Sequence, residues 1–88
     1  MSLLITTDNT TTQVRPADGD RFTLDEVYDL IGCRMVQEVY TRDGKSMLID
    51  EEGKLTGKPV NQLATYAYQW GMDDEIVGTA LIVEGDWG

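Results

Sequence analysis

Residue types that could do chemistry are few in this chain, and the missing ones decide most. It contains no histidine, which removes imidazole acid–base catalysis, Ser-His and Cys-His nucleophile pairs, and histidine metal sites. The one cysteine, Cys33, makes no internal disulfide and cannot build a tetrahedral zinc site alone. It is expected to pack as a small apolar residue in a reducing compartment. No GxxxxGK[ST] or GxGxxG phosphate loop is present. Carboxylates remain, and Asp50-Glu51-Glu52 is their densest cluster. Such oxygens suit Mg²⁺ or Ca²⁺, but neighbours on a strand point to alternate faces, so only Asp50 and Glu52 converge. A solvated turn is the expectation there. Asp73-Asp74-Glu75 has the same geometry, just before a strand whose edge such charges protect. No catalytic residue, metal or cofactor is assigned, and the chain is expected not to be an enzyme.

Charge narrows the partners. Of 88 residues, 16 are acidic and 7 basic, for a net charge of −9, and 41% are hydrophobic. All the basic residues lie before position 59, so Asp73, Asp74, Glu75, Glu84 and Asp86 face no cation of their own segment. Nucleic-acid binding needs cations that displace counterions from phosphates, so direct contact with DNA, RNA or an anionic membrane is not expected. No apolar run approaches the roughly 20 residues of a bilayer span, and Met1–Asp8 lacks the features of a signal peptide. A cytoplasmic location is the expectation.

The elements that must position these residues follow from periodicity. Residues 2–6 and 10–14 read as a hairpin around Asp8-Asn9. Thr23-Leu24-Asp25-Glu26 is a capping box, with Phe22 and Val27 as its staple. Leu24, Val27, Tyr28 and Ile31 then place one apolar stripe on a helix over 24–31, closed by Gly32. Residues 34–41 and 46–50 read as strands joined at Asp43-Gly44 as a two-residue loop, which pairs Tyr40 with Met47 and Glu38 with Ile49. Leu63, Tyr66, Ala67 and Trp70 define a second helix, with Asn61 as N-cap or Pro59 as first residue. That spacing sends Tyr66 and Trp70 to the core and leaves Tyr68 exposed. Residues 79–83 form an apolar last strand, with Gly78 a bulge or close-approach point. The expected fold is a single α+β domain over 1–88, a two-layer sandwich of order ββαββαβ. Its five-stranded, mostly antiparallel sheet carries both helices on one face.

Several segments taken in order resemble a family of short phage, plasmid and bacterial proteins classed as a domain of unknown function. They are Val14-x-Pro16-x-x-Gly19-x-x-Phe22-Thr23-Leu24, Ile31-Gly32, Met47 to Leu55, Pro59-Val60-Asn61-x-x-Ala64-Thr65 and Ile76-Val77-Gly78-x-Ala80, spanning about 11–84. The family often carries a second glycine where Cys33 stands, so the resemblance implies no chemical requirement for that thiol. It implies no activity or site residue, only a context of mobile genetic elements and their hosts.

The functional expectation is a non-catalytic interaction module whose acidic surface docks on a basic site of a host protein, for instance one handling nucleic acid or defence. Tyr68 and Trp87, as exposed aromatics, and Asp73, Asp74 and Glu75 are the expected partner contacts. Trp87, in a polar tail without periodicity to bury it, is also a candidate homodimer contact. The alternative is a small-molecule module that captures a nucleotide-like ligand at Lys54 and Lys58, near the open backbone of Gly53, Gly57 and Gly78.

Overall fold

The computed structural model describes residues 2–17, 21–68 and 75–84. Its elements are β1 (Ser2–Ile5), β2 (Thr11–Val14), α1 (Leu24–Ile31), β3 (Val36–Tyr40), β4 (Ser46–Asp50), α2 (Gln62–Tyr68) and β5 (Ala80–Val83). The five strands form one antiparallel sheet in the order β2-β1-β5-β4-β3. The expected α+β order ββαββαβ is therefore present. The apolar last strand occupies the sheet centre, where both its faces are covered.

The helices are placed differently from expectation, one on each face. Leu48, Leu81 and Val83 pack with Phe22, Val27 and Ile31 of the α1 region. The alternate residues Met47, Ile49 and Ala80 pack with Ala64 of α2 and with Ile76. Strand residues alternate between faces, so β4 and β5 feed two small cores and the layers number three rather than two. The apolar runs of β4 and β5 were the sign of this, since a strand covered on both sides has no polar face.

The start of α1 is as its sequence demands. Thr23 Oγ1 accepts from Glu26 N (3.2 Å), Glu26 Oε1 accepts from Thr23 N (3.0 Å), and Gly32 closes the helix at φ 76°. The β3–β4 register is one residue off the expected one: Val39 opposes Met47 and Glu38 opposes Leu48. Thr41 N donates to Lys45 O (2.9 Å) and Gly44 N to Thr41 O (2.9 Å), so Arg42-Asp43-Gly44 is a three-residue loop with Gly44 at φ 84°. The Thr41 hydroxyl, bonded to Asp43 and accepting from Lys45 N, selects that loop. Because a one-residue slip exchanges faces, Val39 joins Met47 and Ile49, and Tyr40 turns outward. Tyr40 and the rest of β3 lie at the sheet edge. The β1–β2 loop repeats the device: Thr6 N donates to Thr10 O (2.9 Å), the Thr6 hydroxyl bonds Asp8, and Asn9 takes the left-handed position at φ 66°.

Candidate functional site

The segment Pro59 to Thr65 folds against Ile76 to Gly78, and this contact orients α2. Asn61 is fully buried. Its Oδ1 accepts from Ala64 N (3.1 Å) as the helix N-cap, and its Nδ2 donates to Ile5 O and Gly78 O (both 2.9 Å). Thr65 Oγ1 accepts from Ile76 N (2.8 Å) and donates to Ile76 O (3.3 Å). A bridge between Val60 and Val77 and a bond from Gly78 N to Pro59 O (2.8 Å) complete the contact. The inward stripe of α2 is thus Asn61, Ala64, Thr65 and Tyr68, at the i, i+3, i+4, i+7 spacing of a helix face.

That anchoring overturns the expected exposure of the aromatics. Tyr68 is half-buried against Met47, Ile49 and Ala80. Tyr66 is 67% exposed and Leu63 38%. Buried hydrogen bonds from Asn61 and Thr65 fix the rotation of this short helix, and Leu63 and Tyr66 are left facing outward. Trp70, Asp73, Asp74 and Trp87 lie outside the described residues. Of the expected contacts, Tyr68 and Glu75 line the same small cleft, of about 130 Å³, with Val39, Lys54 and Ile76.

The exposed side of α2 borders a larger groove of about 490 Å³, floored by Leu3 and Ile82 and walled by Gln13, Arg42, Tyr66 and Ala67. Its volume is that of many ligand sites. Arg42 N donates to Ala67 O (2.9 Å), and the guanidinium sits 4.5 Å from the centroid of the Tyr66 ring, a cation–π contact. Lys45, also on the wall, pairs with Glu84 at 3.1 Å. Sequence periodicity missed this groove because it assigned Tyr66 to the core.

A second cavity, of about 460 Å³, lies between the end of α1 and the turn after β4. Lys58 Nζ is 2.6 Å from Asp50 Oδ2 and donates to Gly32 O (3.0 Å). The lysine stem crosses Gly78, where a Cβ would meet Lys58 Cδ at 2.9 Å. This is the close approach expected of that glycine. Burial pushes the Asp50 carboxyl up, but the Lys58 hydrogen bond, the Glu52 N–H and the charges of Lys58 and Arg34 outweigh it and hold it low. Lys58 is thereby committed to Asp50 and Gly32 and is drawn away from the expected spot with Lys54. Burial first, then the Asp50 charge, push the Cys33 thiol up, which disfavours the reactive thiolate. Among the described residues no three metal-ligating side chains come together, and no helix is long and apolar enough to cross a membrane.

Asn61 to Thr65 and Ile76 to Gly78 thus hold each other through hydrogen bonds, and Asp50 to Lys58 meets Ile76 to Gly78 where Gly53 lies against Val77 and Gly78 against Lys58. The family described as "Domain of unknown function (DUF3846)" matches residues 1–88. The chain belongs to this family. No curated protein and no solved structure matches.

Proposed function

We propose that this domain is a non-catalytic protein-binding module of a phage or other mobile element, acting in the host cytoplasm on a protein with a basic surface. The observation that carries the reading is the outward pair Leu63 and Tyr66 on α2, with Arg42 stacked on Tyr66 beside an open groove. Tyrosine and arginine at the rim of a groove are the residue types that dominate binding energy in protein interfaces. The net charge of −9 adds long-range attraction to a basic partner and repulsion from nucleic acid. A host protein that handles nucleic acid, including one used in defence, offers such a basic surface. Glu75 lines the separate small cleft with Tyr68, and we include it with its sequence neighbours Asp73 and Asp74 as an acidic segment that adds to the attraction for a basic partner.

Affinity capture from host lysate with the wild type, Tyr66→Ala and an Asp73/Asp74/Glu75→Lys variant tests this. A partner retained by the wild type, weakened by Tyr66→Ala and lost with the charge reversal supports the reading. Equal recovery by all, or none by the wild type, overturns it. The groove volume favours a second reading, a small-molecule module; a nucleotide panel in thermal shift checks it, since ligand at 100 times its Kd raises stability by about 2.7 kcal/mol.

A further inference from the structure

The outer strand β2 differs from every other edge this chain presents. Among the described residues it pairs with β1 alone, and its residues Thr11, Thr12 and Gln13 are exposed. Natural edges are protected by charges, prolines or bulges, yet β2 holds no charge and no proline. From Asn9 to Ala17 the chain has no acidic residue, in a molecule of net charge −9. Two copies repel one another broadly, and this edge is where that repulsion is least.

The hydrogen-bond pattern specifies what fits. Thr6 N donates to Thr10 O, so Thr10, Thr12 and Val14 direct their backbone groups at β1, and Thr11 and Gln13 direct theirs outward. A second β2 running antiparallel matches these donors and acceptors when Thr11 opposes Gln13 of the other copy. Thr12 then faces its own counterpart on a two-fold axis. The facing side chains are threonine and glutamine, with no like-charge pair, and cross-strand threonines are favourable neighbours. The other edge fails the same test. In β3, Thr41 N donates to Lys45 O, so Glu38 directs its backbone outward, and centred self-pairing sets Glu38 against Glu38.

We propose that β2 is a dimerisation edge: two copies of this chain pair β2 with β2 antiparallel about a two-fold axis through Thr12, joining their sheets into one. The interface is made by main-chain hydrogen bonds along an edge that adjoins the α2 groove, whose wall includes Gln13.

Sedimentation of the wild type, Gln13→Pro, Thr12→Lys, Glu38→Lys and Trp87→Ala tests it, with circular dichroism to follow folding. Proline at position 13 removes only an outward N–H and leaves the β1 ladder complete, and lysine at position 12 sets two like charges on the axis. The wild type is expected to dimerise at about 0.1 mM or below, with association weakened about tenfold or more by Gln13→Pro and Thr12→Lys. Glu38→Lys and Trp87→Ala are expected to remain dimeric. As a second readout, Thr12→Cys in a Cys33→Ala background should cross-link on oxidation. Non-hydrogen-bonded partners sit about 4.5 Å apart at Cα, within disulfide reach. A monomeric wild type, a dimer untouched by both β2 variants, a dimer abolished by Trp87→Ala, or no cross-link overturns the proposal.

Discussion

At the scale of single residues, buried polar side chains hold this protein in shape. Asn61 satisfies Ile5 O, Gly78 O and Ala64 N together. Asn61→Ala strands those buried groups and should cost about 3 kcal/mol in denaturant unfolding; a change under about 1 kcal/mol would show that water replaces the amide. Asp50 supplies a pH dependence. Its folded carboxyl is held below the ordinary value, so its contribution is present above the unfolded pKa near 3.9 and is lost as pH falls through the lowered folded value. Asp50→Asn should therefore flatten the acid limb of the stability curve and cost about 2 kcal/mol at neutral pH, since Lys58 loses its partner. An unchanged acid limb would place the acid sensitivity elsewhere. The capping role of Asn61 was legible from its place before a periodic segment. Its bonds to Ile5 and Gly78 were not, because both partners are remote in sequence.

At the scale of elements, local rules succeeded where the signal was local. The α1 capping box and Gly32 need only neighbouring residues, and Thr23→Ala should cost about 1 kcal/mol by thermal or chemical unfolding. In α2 the apolar periodicity pointed to the wrong side, because two hydrogen-bonding side chains outweighed it. Tyr68→Ala should destabilise by about 2 kcal/mol or more, and Tyr66→Ala by less than about 1 kcal/mol. The reverse ranking in paired unfolding curves would return Tyr66 to the core. The β3–β4 loop failed similarly by one residue. Asp-Gly suits a two-residue loop, but Thr41 adds hydrogen bonds that favour three, and the strand faces follow.

At the scale of the whole molecule, 16 acidic against 7 basic residues in 88 make the folded state self-repelling. Raising salt from about 0.01 to 0.15 M shortens the screening length from about 30 to 8 Å. The midpoint of thermal unfolding should rise across that range, and a flat response would mean that local pairs such as Asp50–Lys58 dominate. The sequence alone determined the order of elements, the ends of α1, the apolar character of the last strand and the lack of imidazole chemistry. Each follows from composition or from neighbours within a few positions. Tertiary structure alone decided which face each helix covers, which way α2 is turned, and where Lys58 spends its charge. Those choices rest on contacts between segments far apart in the chain, such as Asn61 with Ile5 and Lys58 with Gly32, and periodicity within one segment carries no record of them.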